Sequence, residues 1–433
     1  MKKRLFTKMT GTVCLLLTIA LVALTACNSS ENGVRHTETQ ITSAEPTAIY
    51  GELTIATLSF MGTDPFLENA AQRFEALNEN VTVNISLYDN WQTYAQIINT
   101  ALMSGGGEDI IGISTLQWQR LADAGRLLDL NNKLVFAPGE FYQNVLDTFL
   151  YNGGRYVVPL AFSMGAFHAT EALAPELKPQ VLTLENLVAV SNAHQGQGQE
   201  TLLFLTGSGL GGTPLSIAEM FFELEFHNFV DLAGRTANVD NESFIALLEA
   251  VYSIADNIRW AQPGEEALFM EEFIHSPAMA LNGVFDYSNL ILAANTDGGS
   301  LVNATQGFVI NANSQNPALA AAFLQFLLSE EIQSSPELFQ TPVNMAAAVT
   351  RSHATLESVR AYSQYTGFTA GFDLDNNITI FNQLASRATT IGITDSMIRD
   401  FVRAEMERFF NGEVTAQQAA SNLQIRLTTY LNE

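Results

Sequence analysis

Short apolar runs alternate with segments of helical period in the first part of the folded chain. Residues 53–58 and 81–87 have the pattern of strands, and residues 109–113 form a third run typical of a buried strand. After the first run, Asp64-Pro65 predicts a helix start, because Asp favours the N-cap and Pro the first helical position. The apolar residues that share the face of this helix are Phe66, Leu67, Ala70, Ala71, Phe74 and Leu77. With a second helix over 91–103, the order β-α-β-α-β predicts a parallel sheet covered by helices.

The rest of the chain continues this alternation. The pattern predicts helices over 183–194, 214–229, 243–255 and 317–329, strands over 202–205, 278–281 and 307–311, and two last helices broken at Asn411-Gly412. At roughly 100–200 residues per domain, a chain of 433 residues allows two or three domains, and we predict an α/β fold of two lobes. Ligands bind such sheets beyond the carboxyl ends of the strands, here residues 59–64 and 114–118.

The N-terminal segment predicts export. Residues 1–8 are basic, and residues 11–24 form an apolar run that is shorter than the ~20 residues of a membrane span but typical of a secretory signal. The following Leu24-Thr25-Ala26-Cys27 resembles the bacterial lipobox, which implies a diacylglycerol on the Cys27 thiol and cleavage before it. Two or three acyl chains suffice for stable anchoring. The alternative is an ordinary signal peptide in which the cysteine is accidental.

A polar stretch over 27–49 follows the signal peptide over 1–26, and it has neither helical nor strand period. We predict that it is a flexible tether. At ~5–6 Å × √n such a segment reaches about 25 Å, enough to hold a folded body clear of a membrane. We therefore expect a lipid-anchored protein on the extracellular face of the bacterial cytoplasmic membrane, or in the periplasm.

The charge of the chain excludes two classes of partner. The sequence has 20 basic and 45 acidic residues, a formal net charge of −25. Such a surface repels phosphate backbones, so we expect no nucleic-acid partner, and it offers no basic patch for anionic lipid. The same charge disfavours an anionic ligand. The two cysteines, Cys14 and Cys27, cannot form a disulfide scaffold.

No motif of the sequence indicates a cofactor, a metal or a catalytic centre. The six histidines are far apart, and none has the spacing of a zinc site. Residues 373–377 begin like a calcium loop, but Ile378 stands where such a loop needs glycine. The glycine spacing over 207–212 resembles a dinucleotide-binding loop and is explained as well by a generic turn. No pair of acidic residues stands out as the two carboxylates of a glycosidase.

Several segments, in the right order from about residue 52 to the C terminus, resemble the extracellular solute-binding proteins of ABC importers, in the branch of maltose- and oligosaccharide-binding proteins. They are Phe74-Glu75-x-x-Asn78 with its following strand, Glu108-Asp109-Ile110-Ile111, Leu121-Ala122-x-x-Gly125-x-Leu127, Phe149-x-Tyr151-Asn152-Gly153-x-x-Tyr156-x-Val158-Pro159, Ala278–Gly283, Phe308–Asn311 and Asn411-Gly412-Glu413. The chain departs from this pattern at Glu108, where the family usually has proline, and at residues 167–170, which follow the point near 160–162 where the chain is expected to pass from one lobe to the other.

The resemblance implies a two-lobed periplasmic-binding-protein-like fold of type II, with chain crossings near 160–162, 304–307 and 341–344. The N-terminal lobe then comprises residues 50–160 and 307–342, and the C-terminal lobe residues 161–306 and 343–433. It also implies a monomer that is not an enzyme. Such a protein captures a carbohydrate in the cleft between its lobes and delivers it to ABC permease subunits, without a cofactor.

Sugars are bound by aromatic platforms together with side chains that donate and accept hydrogen bonds. On this basis and on the resemblance, the candidate ligand-binding residues are Ser59, Phe60, Trp91, Leu116, Gln117, Trp118, Ser163, Ser208, Phe285, Asp286 and Tyr287. Each has a competing structural role: Phe285 and Tyr287 could pack under a helix, Trp118 could lie in the core, and Trp91 could fix the helix that it begins. Asp64 is expected to cap its helix rather than contact ligand.

Two other functions remain open at the level of sequence. A secreted, lipid-anchored enzyme that degrades glycans would carry the same lipobox. A receptor for a non-sugar solute, cationic solutes included, would have the same fold.

Overall fold

The computed structural model describes residues 50–59, 64–114, 116–169, 181–194, 202–203, 213–258, 267–278, 290–304, 306–366 and 373–433. The strands are β1 Gly51–Leu58, β2 Val81–Tyr88, β3 Ile110–Gly112, β4 Leu150–Tyr151, β5 Gly154–Arg155, β6 Val158–Pro159, β7 Ala161–Ala169, β8 Val181–Leu182, β9 Leu202–Leu203, β10 Val230–Asp231, β11 Thr236–Ala237, β12 Ala267–Ile274, β13 Leu290–Ala293, β14 Ser300–Asn303, β15 Gly307–Ile310, β16 Thr341–Pro342 and β17 Ala388–Ile391.

The helices are α1 Pro65–Leu77, α2 Trp91–Met103, α3 Trp118–Asp123, α4 Gln143–Asp147, α5 Leu184–His194, α6 Pro214–Leu224, α7 Phe226–Phe229, α8 Glu242–Ser253, α9 Pro317–Leu327, α10 Glu330–Gln333, α11 Met345–Thr366, α12 Leu374–Ala385, α13 Ser396–Phe410 and α14 Ala416–Leu431. Among the described residues, no helix has the length and the apolar character needed to cross a bilayer.

The first sheet has the strand order β2-β1-β3-β15-β6. Strand β1 pairs in parallel with β2 and β3, as the alternation of strands and helices predicts, while β15 pairs antiparallel with β3 and β6. The predicted start of α1 is confirmed, because the Asp64 carboxylate accepts a hydrogen bond from the Leu67 backbone amide at 3.1 Å. The carboxyl ends of β1, β2 and β3 therefore lie at one edge of this sheet.

The second sheet is built around the long strand β7. Its order is β17-β14-β7-β12-β9, and β13 and β16 also pair with β7. Strand β14 pairs in parallel with β17 and antiparallel with β7. The carboxyl ends of β14 and β17 therefore lie at the end of the sheet where β7 begins.

Short connections join the two sheets. Leu160 alone separates β6 of the first sheet from β7 of the second, and residues 304–306 separate β14 from β15. The Leu160 amide donates to the Gln306 carbonyl at 2.8 Å, and the Val343 amide donates to the Leu160 carbonyl at 3.0 Å. Backbone hydrogen bonds thus hold these connecting segments next to one another.

Three large apolar clusters support the two sheets. One cluster packs on the second sheet and contains Phe222 and Leu427, and another packs on the first sheet and contains Tyr94 and Trp118. A third cluster extends through residues of both sheets, from Ile55 to Met164 and Val302 and across the connecting segments. The apolar core is therefore continuous where the chain passes from one sheet to the other.

The structure differs from the sequence-based expectations in three places. Leu77 is 71% exposed, because it is the last residue of α1 and lies beyond the packed part of the helix. The helix expected over 214–229 is divided at Glu225 into α6 and α7. Strand β17, which was not among the predicted strands, extends the second sheet through its pairing with β14. The strand expected over 278–281 lies, apart from Ala278, outside the described residues.

Candidate functional site

The carboxyl edge of the first sheet places a buried serine next to an exposed tryptophan segment. Strands β1 and β2 end in register, with Leu58 opposite Tyr88, and the Ser59 amide donates to the Tyr88 carbonyl at 2.7 Å. Ser59 itself is buried. Asn90, two residues after the end of β2, caps α2. The first residue of this helix, Trp91, is 51% exposed. This edge therefore offers an aromatic ring to solvent beside the strand ends.

Tyr94 holds the strands of this edge together. Its buried hydroxyl donates to the Gly112 carbonyl at 2.5 Å and lies 3.3 Å from the Ala56 carbonyl, so one side chain links β1 and β3. Burial raises the pKa of this hydroxyl well above its usual range, which keeps it a donor. Gly112 is required because a Cβ there would lie 2.6 Å from the Thr57 Oγ1. The Tyr94 hydrogen bonds and the close approach of Thr57 to Gly112 thus hold β1 and β3 together at this edge.

Leu116 and Trp118 lie in the core and not on this edge, contrary to the sequence-based expectation. Leu116 is 1% exposed and Trp118 is 2% exposed. The Trp118 ring packs edge-on against Tyr151, with 5.9 Å between ring centroids. These apolar side chains anchor the β3–α3 turn because burying them stabilises the first sheet's core, and neither is available to a ligand.

Gln117, between these two core residues, reaches across to the second sheet. Its side-chain amide donates to the Asp395 Oδ1 and to the Tyr430 hydroxyl oxygen, each at 3.1 Å. Asp395 follows β17, and Tyr430 lies near the end of α14, whose apolar face packs in the core of the second sheet. The residue expected to contact ligand therefore contacts the other half of the molecule.

Two neighbours of Gln117 extend this contact. The Thr394 hydroxyl donates to the Gln119 Oε1 at 3.0 Å, and an Arg120 guanidinium nitrogen donates to the Tyr430 carbonyl at 3.1 Å. The guanidinium also lies 4.1 Å from the centroid of the Tyr430 ring, a cation–π geometry. We call these interactions the α3 contact; its members are Gln117, Gln119, Arg120, Thr394, Asp395 and Tyr430.

Asp395 is the electrostatic centre of the α3 contact. Its buried carboxylate accepts the Tyr430 hydroxyl at 2.9 Å, lies 3.7 Å from the Arg120 Nε, and caps α13 by accepting the Met397 amide. Burial and the neighbouring carboxylate raise the pKa of Tyr430 to about 12. Tyr430 therefore remains protonated at physiological pH and can accept from Gln117 while it donates to Asp395.

A cavity of about 350 Å³ adjoins the α3 contact. Its polar lining includes Gln117, Gln119, Arg120, Asp123, Tyr151 and Arg235. The volume lies within the range of about 300–1,000 Å³ that is usual for small-molecule sites. The cavity is bounded by α3 on one side and by the β10–β11 hairpin and the end of α14 on the other.

Ser163 lies at a connection between the sheets, where its side chain is buried and hydrogen-bonded within the protein. It is 2% exposed. Its hydroxyl accepts from the Gln340 side-chain amide at 3.2 Å and donates to the Asn303 carbonyl at 3.5 Å. Ser163 lies at the start of β7, Asn303 at the end of β14 and Gln340 just before β16, so a single hydroxyl links three separate parts of the chain.

Several predicted residues lie outside the described part of the chain. They are Phe60, Ser208, Phe285, Asp286, Tyr287 and the lipidation candidate Cys27. Within the residues that are described, no cluster of three or more His, Cys, Asp and Glu side chains has the arrangement of a metal site. Asp373, the first residue of the apparent calcium loop, instead caps α12 by accepting the Asn376 amide at 3.0 Å.

The second-sheet side of the α3 contact was not predicted from the sequence. Thr394-Asp395 before an amphipathic segment is a recognisable helix N-cap, and that local role is sufficient to explain an aspartate there. Nothing in the sequence near Tyr430 indicates a partner more than 300 residues away. Such contacts depend on how the residues around the first sheet pack against those around the second sheet, which no local sequence pattern encodes.

Comparison with known proteins agrees with this architecture. The sequence model of the bacterial extracellular solute-binding protein family matches residues 69–336. No curated protein sequence matches the chain. A family 1 extracellular solute-binding protein from Alicyclobacillus acidocaldarius aligns with a TM-score of 0.55 at 15% identity, over 90% of this chain and 100% of its own.

Two further solved structures are similar in fold. An ABC substrate-binding protein from Listeria monocytogenes, in complex with cycloalternan, has a TM-score of 0.55 at 16% identity and covers 89% of this chain and 100% of its own. A cyclic α-maltosyl-1,6-maltose binding protein from Arthrobacter globiformis has a TM-score of 0.60 at 16% identity, over 88% and 99%. The chain belongs to the bacterial extracellular solute-binding protein family and has its two-lobed α/β fold.

Proposed function

We propose that this protein is the solute receptor of an ABC importer and that it captures a carbohydrate between its lobes. The observation that carries the proposal is the carboxyl edge of the first sheet. There the exposed Trp91 ring and the end of β1 lie on the same edge from which Gln117 reaches the second lobe. An aromatic face beside hydrogen-bonding groups, at an edge that meets another lobe, suits a sugar.

The fold-level neighbours support a carbohydrate as the ligand class. The Listeria protein was solved with cycloalternan, and the Arthrobacter protein binds a cyclic maltosyl-maltose. The net charge of −25 disfavours an anionic ligand and is compatible with a neutral sugar. Family membership supports binding rather than catalysis, and no covalent step is part of the proposal.

We take the lobes to be residues 50–160 with 307–342, and residues 161–306 with 343–433. The sheet membership of most strands supports this division, because the first sheet draws on β1–β3, β6 and β15 and the second on β7–β9, β12–β14 and β17. Strand β16 pairs with β7 of the second sheet and lies at the boundary itself, in the connecting segment near 341–344. Closure then bends the connecting segments near 160, 304–307 and 341–344. A ligand shifts this equilibrium by its higher affinity for the closed state.

We further propose that the mature protein begins at an acylated Cys27 and is a monomer tethered by residues 28–49. The tether leaves the lobes free to deliver their ligand to the permease subunits of the importer. The lipobox over 24–27 is the support for this anchor.

Phe285 and Tyr287, with Asp286 between them, are the proposed sugar platform of the second lobe, and Phe60 and Ser208 are proposed to line the same cleft. Truncation of a stacking ring removes contact and buried area, and binding should weaken at least about tenfold. Titration of Phe285→Ala and Tyr287→Ala should show this loss with melting temperatures close to that of the wild type. A large fall in melting temperature with unchanged affinity would assign both rings to the core.

A thermal-shift screen of the full chain tests the function directly. We expect linear or cyclic oligosaccharides to raise the melting temperature, because a ligand that binds only the folded state stabilises it. The same incubations, analysed by chromatography, should return the sugars intact. Released hydrolysis products would contradict the receptor function and favour a glycan-degrading enzyme, and stabilisation by cationic solutes alone would contradict the carbohydrate.

A further inference from the structure

We propose that the α3 contact is a latch between the lobes: it holds the closed arrangement, and Gln117 serves closure rather than direct contact with the ligand. Four hydrogen bonds, one ion pair and one cation–π contact join α3 and the residue before it to the Thr394–Asp395 turn and Tyr430. All of these interactions join a helix that packs on the first sheet to residues that pack on the second sheet.

The two connections between the lobes differ in chemistry. At the first connection the polypeptide chain itself runs from one lobe to the other, and the third apolar cluster is continuous across the connecting segments. At α3 the contact is polar apart from Ile391, which packs against the core cluster that contains Trp118. Polar groups that separate can be hydrated, so this contact can open at much lower cost than an apolar core.

Both donor hydrogens of the Gln117 side chain are already engaged by the latch. Its amide nitrogen has two donor hydrogens, and the structure directs them to the Asp395 carboxylate and the Tyr430 hydroxyl. A sugar hydroxyl that took either hydrogen would break a bond between the lobes. The amide nitrogen of Gln117 is therefore better suited to strengthen closure than to donate to a sugar.

The latch has a defined effect on affinity. If the ligand binds the closed state, the apparent Kd is the intrinsic Kd divided by the closed fraction of the free protein. Interactions that hold the lobes together without touching the ligand raise that fraction. Their removal should weaken the binding of every ligand by the same factor.

The variant Tyr430→Phe tests the latch with the smallest change, because it removes one hydroxyl and keeps the ring under Arg120. Gln119→Ala is the second variant; it removes the separate hydrogen bond to Thr394. The matched control is Tyr252→Phe, at an exposed tyrosine of α8 whose ring packs against Phe409. All three are made in the full chain, and a thermal melt of each confirms that it folds.

The first measurement is hydrogen–deuterium exchange of the unliganded proteins. We expect both latch variants to exchange roughly threefold faster or more over residues 117–124 and 394–398, because these segments open when the lobes part. The control should match the wild type. Unchanged exchange over 117–124 in both variants would overturn the latch.

The second measurement rests on the proposed function and uses two or more carbohydrates that stabilise the wild type. Calorimetric titration should show roughly three- to tenfold weaker binding to each variant, by the same factor for every sugar. Losses that differ between sugars would overturn the latch in favour of direct ligand contact. If no carbohydrate binds the wild type, the proposed function fails, and the exchange experiment still decides the latch.

Discussion

The side chains of Ser163 and Gln340 meet at the junction of the two sheets, where the Gln340 amide donates to the Ser163 hydroxyl at 3.2 Å. Ser163 lies at the start of β7, and Gln340 directly precedes β16, which pairs with β7. Gln340 has a φ of +69°, a conformation that is uncommon for a residue with a side chain. The Arg351 guanidinium donates to its carbonyl at 2.8 Å and helps to hold it there.

Ser163→Ala should destabilise the fold by about 1 kcal/mol, because it removes a buried acceptor and donor between connecting segments. Chemical denaturation measures the change. Ser253→Ala, at an exposed serine that bonds only within its own helix turn, is the control and should be nearly neutral. Unchanged stability together with weaker carbohydrate binding would instead return Ser163 to the ligand site.

Glu405→Gln should lower the free energy of unfolding by about 2–4 kcal/mol. The Glu405 carboxylate is almost fully buried between α13 and α14, where it binds the Arg408 guanidinium at 2.8 Å and accepts from Asn422 at 3.2 Å. Arg426 approaches its other oxygen to 3.5 Å. A neutral amide cannot satisfy these cationic partners.

Glu413→Gln is the matched control for this prediction, since Glu413 also pairs with Arg408, at 3.6 Å, but is 55% exposed. Its loss should change stability by less than about 0.5 kcal/mol. Equal effects of the two substitutions in urea denaturation would show that burial of the Glu405 carboxylate is unimportant.

The stability of the protein should carry a pH dependence that Glu223→Gln removes. Burial raises the pKa of Glu223 to about 6, although Arg399, 3.4 Å away, opposes the shift. A raised pKa means that the folded state binds the proton more tightly than the unfolded state. This group therefore adds stability as pH falls from above 6 towards its ordinary value of 4.5.

Melting temperatures of the wild type and Glu223→Gln, measured from about pH 7.5 down to about pH 4.5, test whether Glu223 adds stability as the pH falls. The difference between them should shift in favour of the wild type as the pH falls. The exposed Glu249→Gln of α8 provides the control. A shift in the opposite direction would mean that Arg399 outweighs burial.

Cys27→Ala should abolish membrane attachment, because the thiol is the proposed site of acylation. In cells that process lipoproteins, the wild type should partition with membranes, and its N-terminal peptide should carry acyl chains in mass spectra. The variant should lack both. A wild-type N terminus that is unmodified, or that begins elsewhere, would establish an ordinary signal peptide.

Local sequence signals predicted the elements better than the contacts between them. Asp64 and Pro65 define the start of α1 because capping depends on neighbouring residues alone. The period that identified the buried face of α1 could not show that Leu77 lies past its packing partners. The role of Ser163 and the pairing of Gln117 with Asp395 depend on segments more than 100 residues apart, and no local pattern encodes them.

Calorimetric titration of a carbohydrate from the thermal screen into the wild type, Trp91→Ala and Tyr50→Ala tests the central claim most directly. Tyr50 is an exposed tyrosine at the opposite end of the first sheet's strands, next to the start of β1, and so controls for the loss of a surface ring. We expect saturable binding to the wild type, about tenfold weaker binding to Trp91→Ala and unchanged binding to Tyr50→Ala. Absence of binding by the wild type to every carbohydrate, or equal affinities of all three proteins, would contradict a sugar site at this edge.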